Sequence, residues 1–200
     1  MATTDVLTTA EALAAVNLST ESTGRLTQLV SAVSQQLDEL CGPVVQRTIT
    51  SESHDGGEDE IYLRVPPVAS VTAVTEYRNT TAQALTAESN TSKTGYDFLV
   101  ETTRGIVRRR SSNQDAPFPA GRRNVEVTYV AGRSSATSAV DPKFKQAAAM
   151  MLRNLWISEA ASGSETIGAF NEFPVNPLYG PGMLNKVAAL LNGEMLAPQV

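Results

Sequence analysis

The chain has 200 residues, 42% of them apolar, and its 16 Lys and Arg against 21 Asp and Glu give a net charge of -5. This length and composition allow one large domain or two small ones with a substantial core, and the acidic balance argues against a protein that grips nucleic-acid phosphates over its whole surface. The single Cys and single His exclude a Cys-based zinc site and an internal disulfide, and allow a Cys/His catalytic pair only if the two lie together.

The N-terminal segment predicts two helices. The first begins after Thr8, because a hydroxyl followed three residues later by Glu11 has the spacing of a capping box, and it ends near Asn17. The second follows Ser19 or Thr20 and ends at Gly42-Pro43. Its apolar stripe consists of Leu26, Leu29, Val30, Val33, Leu37 and Leu40. Cys41 has apolar neighbours and is expected to be a buried, reduced thiol.

From Val44 onward the apolar residues alternate with polar ones, which is typical of strands. About six short antiparallel strands are predicted between residues 44 and 132. The candidates are 44–51, 61–65, 68–77, 96–101, 105–109 and 125–129. The composition of 53–59 predicts a hairpin loop, Pro66-Pro67 interrupts the ladder, and 79–94 is predicted to be a long polar loop.

Helical spacing returns at Asp141-Pro142, an N-cap carboxylate followed by Pro at the first helical position. This third helix, near 142–161, carries Phe144 on its apolar stripe and Trp156 at its edge, and both are interpreted as core residues. The segment 168–182 is rich in Pro, Gly and Asn, which predicts an extended arm that ends in a short helix.

The predicted fold class is therefore α+β. A small helical bundle is formed by residues 1–43 and 133–163, an antiparallel β region of 44–132 is inserted into it, and residues 164–200 form a C-terminal arm with a short helix. No apolar stretch approaches the length of a membrane span, and the first residues do not look like a signal peptide, so we expect synthesis in the cytoplasm and no membrane contact.

The acidic segment around the single histidine is the one candidate for metal binding. His54, Asp55, Glu58, Asp59 and Glu60 offer ligands that hard cations accept, and a metal-dependent hydrolase would use three of them, His54, Asp55 and Glu60. The segment lacks the alternating spacing of a calcium loop, and the chain has neither a phosphate-binding loop nor a Gly-x-Ser-x-Gly elbow. We therefore predict a solvated acidic hairpin tip, with no metal, no cofactor and no catalytic residue.

Charge is unevenly distributed along the chain, with a net charge of -9 over residues 1–101, +7 over 102–153 and -3 over 154–200. The basic part contains Arg108, Arg109, Arg110, Arg122 and Arg123. Three interpretations stay open for these arginines, namely contact with an acidic partner, a solvated rim, and contact with DNA phosphates. Stacking on single-stranded nucleic acid is not favoured, because aromatic residues are not interleaved with the basic ones.

The arm contains Phe170, Phe173 and Tyr179, which have no helical stripe to join. Apolar groups in such a segment need either the surface of their own domain or another subunit.

Three stretches of the chain resemble a known family when their order and spacing are taken together. They are residues 66–74 (Pro-Pro-Val-Ala-Ser-Val-Thr-Ala-Val), 118–132 (Phe-Pro-Ala-Gly-Arg-Arg-Asn-Val-Glu-Val-Thr-Tyr-Val-Ala-Gly) and 140–148 (Val-Asp-Pro-Lys-Phe-Lys-Gln-Ala-Ala). With the two N-terminal helices, residues 5–160 resemble the head-to-tail connector (adaptor, head completion) proteins of long-tailed double-stranded DNA bacteriophages.

The resemblance implies a non-enzymatic virion protein, made in the bacterial host cytoplasm and located in the neck. It implies a ring of twelve copies that docks under the portal, meets the stopper or tail-completion protein on its other face, and lets DNA pass through its channel without sequence recognition. The alternatives are a stopper or tail-terminator subunit and, more remotely, the metal-dependent hydrolase.

Two sets of interface residues follow from this interpretation. The family's C-terminal segment commonly reaches the portal, so the portal-binding arm is expected to use Phe170, Phe173, Tyr179, Met183 and Leu184. A ring joins two different patches on neighbouring copies, and the charge distribution suggests that Arg108, Arg109, Arg110, Arg122 and Arg123 face acids such as Glu58, Asp59 and Glu60 of the next copy.

Overall fold

The computed structural model describes residues 4–18, 23–79, 81–88, 96–112, 114–162 and 185–194. The fold is α+β, as the sequence predicts. It divides into two compact units, Met1–Val45 with Ser134–Val200, which is helical, and Gln46–Arg133, which is built of strands. The strand unit is thus inserted between the second and third helices of the chain.

The helical unit contains four α-helices in its described residues. They are α1 (Thr9–Ala15), α2 (Thr23–Cys41), α3 (Pro142–Ser162) and α4 (Asn185–Leu190). The capping box at the start of α1 is confirmed, because the Glu11 N–H donates to Thr8 Oγ1 and the Thr8 N–H donates to the Glu11 carboxylate at 2.8 Å. No helix in these described ranges is long and apolar enough to cross a membrane.

The core of the helical unit is formed by the apolar stripes of α2 and α3. Phe144 and Cys41 are buried there, and Trp156 packs against the core while partly exposed. Val187 and Leu191 are also completely buried in this core, so α4 is an integral part of the bundle. Burial of each such side chain contributes about 1.5–3 kcal/mol to stability.

The described residues of the strand unit form eight strands in two antiparallel sheets. They are β1 (Arg47–Gly56), β2 (Glu60–Tyr62), β3 (Val68–Arg78), β4 (Thr81–Ala84), β5 (Phe98–Glu101), β6 (Ile106–Ser111), β7 (Gln114–Asp115) and β8 (Gly121–Ala131). The first sheet has the order β1-β8-β3-β4 and the second has the order β2-β6-β5, with β7 paired to β6.

The structure corrects three details of the strand prediction. β1 continues to Gly56 and pairs with β8, so the expected hairpin between β1 and β2 is wrong, and the acidic loop shrinks to 57–59. Strand β2 ends at Tyr62 and pairs with β6. The polar segment 79–94 contains strand β4, which continues the sheet beyond β3. Polar composition suggested loops at the end of β1 and at β4, whereas pairing with β8 and with β3 satisfies the backbone hydrogen bonds there.

Candidate interaction surface

Each arginine of the β6 run has a carboxylate of its own chain beside it. Glu60 on β2 lies opposite Arg108 on β6, and Arg108 Nη2 is 2.6 Å from Glu60 Oε1. Arg110 has Asp115 Oδ1 3.8 Å from its Nε and lies over the Tyr96 ring, 5.4 Å from the centroid. The antiparallel register brings each of these pairs together, so their charges are offset inside one subunit.

Arg109 lies in the interior of the strand unit, where it is only 6% exposed. Its position two residues after the buried Val107 places it on the inward face of β6. Arg109 Nε donates to Glu76 Oε2 at 3.0 Å, and Nη1 donates to the Asp97 carbonyl at 3.0 Å. Strand alternation turns this middle residue of the run inward, so Arg109 is engaged inside its own chain. Its place in a ring or partner interface stays a prediction.

The buried partner Glu76 was not identified from the sequence. Its side chain is completely buried on β3 and binds Arg78 as well as Arg109. A signal was present, because Glu76 follows the apolar Val74 at the period-two spacing of the inward face. A carboxylate at such a position requires a buried cation, and the run at 108–110 supplies it.

Arg122 and Arg123 differ from the β6 arginines. Both are exposed at the start of β8, and among the residues that the structure describes neither guanidinium has an acidic partner. Arg123 has a positive φ of 52° and its backbone N–H donates to Asp55 Oδ1 at 2.6 Å. The backbone is thus fixed while both side chains extend into solvent.

The acidic loop lies beside these two arginines. Gly57 N–H donates to the Phe118 carbonyl at 3.1 Å and Phe118 N–H donates to the Glu58 carbonyl at 2.8 Å. The carboxylates of Glu58 and Asp59 are exposed and have no partner within the described ranges. We call Glu58, Asp59, Arg122 and Arg123 the charged corner, because they form an exposed group with unsatisfied charges of both signs.

The chain is packed tightly beneath the charged corner. Gly56 N–H donates to Asn124 Oδ1 at 2.9 Å, and Asn124 Nδ2 donates to the Pro119 carbonyl at 2.7 Å. A Cβ at Gly56 would lie 2.0 Å from the Pro119 oxygen, so only glycine fits. This packing gives the corner a defined backbone on which its four charges are displayed.

His54, the remaining candidate for metal chemistry, is engaged in a partly buried structural network. Its Nε2 lies 2.7 Å from Glu52 Oε1, and Tyr129 Oη donates to Glu52 Oε2 at 2.7 Å. Burial lowers the pKa of His54, with a partial opposing effect from Glu52. The expectation of a solvated acidic tip is wrong for His54, because the longer β1 draws it inward.

No cluster of three or more His, Cys, Asp or Glu side chains able to hold a metal ion occurs in the described parts of the chain. The expected portal-binding residues lie outside those parts. They are Phe170, Phe173, Tyr179, Met183 and Leu184.

No family model matches the sequence, and no curated protein matches it significantly. The fold is similar to that of a chain in the neck of an empty GTA (gene transfer agent) particle computed with C6 symmetry, with a TM-score of 0.54 and 18% identity over 98% of this chain and 92% of that chain. A chain in the neck of a native GTA particle computed with C12 symmetry aligns with a TM-score of 0.47 and 19% identity over 100% of this chain and 98% of that one. The first similarity shows a shared fold across both units.

Proposed function

We propose that this chain is a structural subunit of a phage-type neck, namely a head-to-tail adaptor that forms a ring between the portal and the stopper or tail. The observation that carries the proposal is the fold similarity to the GTA neck chain, which extends over 98% of this chain. Because the alignment includes the helical unit and the strand unit, a common helical hairpin or a common sheet does not account for it.

The side chains that could take part in catalysis are held in structural contacts, which supports a binding role. His54 is held by Glu52, and Arg109 is held by Glu76 inside the strand unit. In this proposal the protein works by assembly alone, is made in the host cytoplasm, resides in the virion neck, and surrounds DNA that passes through the channel without being read.

The charged corner is the proposed site of contact between neighbouring copies. A ring requires a heterologous interface, in which one patch of each copy meets a different patch of the next. Arg122 and Arg123 present two cations that have no acidic partner among the described residues, whereas Arg108 is offset by Glu60 within its own chain. Opposite charges across an interface select the orientation of the partner and accelerate association.

This contact predicts that Arg122→Glu combined with Arg123→Glu weakens ring formation most strongly at low salt, where screening is smallest. Arg153→Glu combined with Lys186→Glu is the matched control, because both residues are exposed on the helical unit and the net charge changes equally. Sedimentation at low and high ionic strength measures the assembly. Equal behaviour of the two double variants would show that the corner is not a ring contact.

The C-terminal arm remains the proposed portal contact, through Phe170, Phe173 and Tyr179. Because Val187 and Leu191 belong to the helical core, a deletion that starts before α4 would damage the bundle and confuse folding with binding. Alanine substitution of the three aromatic residues is the cleaner test. We expect loss of co-purification with portal at an unchanged melting temperature, and retained co-purification would refute the arm contact.

The function itself is tested by imaging the purified chain with the portal protein of the same phage. We expect a ring stacked coaxially on the portal. A chain that instead binds the end of the tail, or that binds neither structure, would contradict the adaptor assignment; the former result would point to a stopper or tail terminator.

A further inference from the structure

Two outer edges of the sheets are protected within the chain. At the edge of β1, the Arg64 guanidinium donates to the Ser53 carbonyl at 2.9 Å, and two register shifts distort the strand. At the edge of β5, Asp97 N–H donates to the Thr86 carbonyl at 2.8 Å, and Glu88 N–H donates to the Phe98 carbonyl at 2.9 Å. Side-chain cover, bulges and added backbone are recognised means of blocking an edge against another chain.

Among the described residues, nothing protects the outer edge of strand β4 in these ways. Its sequence Thr-Ala-Gln-Ala is uncharged, contains no Pro, pairs with β3 in a regular register, and is exposed at all four positions. Leu85 N–H donates to the Val74 carbonyl at 2.9 Å. Because antiparallel ladder bonds alternate, the backbone groups of Ala82 and Ala84 point away from β3. An approaching strand would find the backbone N–H and C=O of Ala82 and of Ala84 free to pair, beside the small methyl side chains of these two residues.

In the part of the chain that the structure describes, strand β2 also has an open edge, on the second sheet. Leu63 N–H donates to the Gly105 carbonyl at 2.9 Å and Arg109 N–H donates to the Asp59 carbonyl at 2.8 Å. The same alternation therefore turns the backbone groups of Glu60 and Tyr62 outward. Tyr62 is 59% exposed, the largest exposure among the big apolar side chains of the described residues.

We propose that the open edge of β4 binds the open edge of β2 in a second copy of this chain. The two edges match in spacing, because each offers two outward residues separated by one. They match in size, because the methyl groups of Ala82 and Ala84 leave room for the Tyr62 ring, and aromatic residues stabilise cross-strand pairs. Glu60 meets no charge on β4 and keeps Arg108 as its counter-ion.

The contact is heterologous, as a ring requires, because β4 and β2 belong to different sheets of the same subunit. Backbone hydrogen bonds would supply the affinity and the flanking side chains the register, as in other strand additions. The charged corner lies next to this edge, since Glu58 and Asp59 immediately precede β2. This inference rests on the proposed ring function and names the surface through which neighbouring copies join.

Ala84→Pro tests the contact, because it removes an outward N–H that the β3 ladder does not use and places a ring in the path of the added strand. Ala84→Ser is the matched control, because it keeps the N–H. We expect the Pro variant to lose at least about tenfold in assembly, measured by sedimentation, while its circular dichroism and melting temperature stay those of the Ser variant. A Pro variant that assembles like the Ser variant would overturn the inference.

Amide hydrogen exchange of the unmodified protein provides an independent readout. We expect exchange at Ala82, Ala84, Glu60 and Tyr62 to slow by at least about tenfold on assembly, with Gln83 protected in both states by the β3 ladder. Unchanged exchange at the four outward positions in an assembled ring would refute the edge contact and leave the neck function standing. Failure of the unmodified chain to form any ring, alone or on the portal, would refute the proposed function itself.

Discussion

Arg109→Ala is predicted to be the most destabilising change in the arginine run, although its neighbours look equivalent in the sequence. It leaves the Glu76 carboxylate, which is 0% exposed, without its buried counter-ion. Removal of one partner from a buried ion pair costs about 3–5 kcal/mol. Arg78 remains 2.9 Å from Glu76 and offsets part of its charge, although the Arg78 side chain is 58% exposed. We therefore expect the lower end of this range, a loss of about 3 kcal/mol in the free energy of unfolding.

Urea denaturation measures this loss, with far-ultraviolet circular dichroism as the signal. Arg122→Ala is the control, because an exposed arginine without a partner should change the free energy of unfolding by less than about 0.5 kcal/mol. Arg109→Met combined with Glu76→Leu should recover much of the loss, because replacement of both charges leaves neither unpaired. A loss below about 1 kcal/mol for Arg109→Ala would show that the pair is not buried as described.

Three further predictions concern stability. Burial lowers the pKa of His54 in the folded state, so as the pH falls the unfolded chain takes up a proton on this residue first. The stability that His54 contributes is complete above about pH 6.5 and declines as the pH falls below that value. His54→Gln should flatten this part of a pH series of urea midpoints. Thr8→Ala should cost about 1 kcal/mol in the same assay by removing the capping box, whereas an unchanged midpoint would show that α1 does not depend on its cap. Leu191→Ala should cost about 2–5 kcal/mol by opening a cavity in the helical core, and a cost near that of a surface substitution would show that α4 is not docked there.

The helices could be predicted from the sequence because their signals are local. Thr8 and Glu11 fix the start of α1, and Gly42-Pro43 follows the end of α2 within one turn. The strands predicted at 68–77 and 125–129 correspond to β3 and to the middle of β8, and they were visible through their Val and Thr content and their period-two alternation. Each of these features depends on residues that are neighbours along the chain.

The pairing between strands that lie far apart in sequence could not be predicted, because no local signal specifies it. Nothing near His54 indicates that β1 pairs with β8 about 70 residues later, and this pairing turned a predicted loop into a strand. The same limitation applies to the interaction surface. The sequence groups Arg108, Arg109 and Arg122 by charge alone, and only the register shows that Glu60 and Glu76 already neutralise the first two.

The central claim is that this chain forms a ring in the neck of a phage-type particle, and a cryo-electron microscopy map of the neck of the particle that encodes it tests the claim most directly. The account predicts a ring of density between the portal and the stopper or tail into which the helical unit and the strand unit both fit, with β4 of one copy beside β2 of the next. Density for the chain at another place in the particle, or a neck ring that neither unit fits, would contradict it.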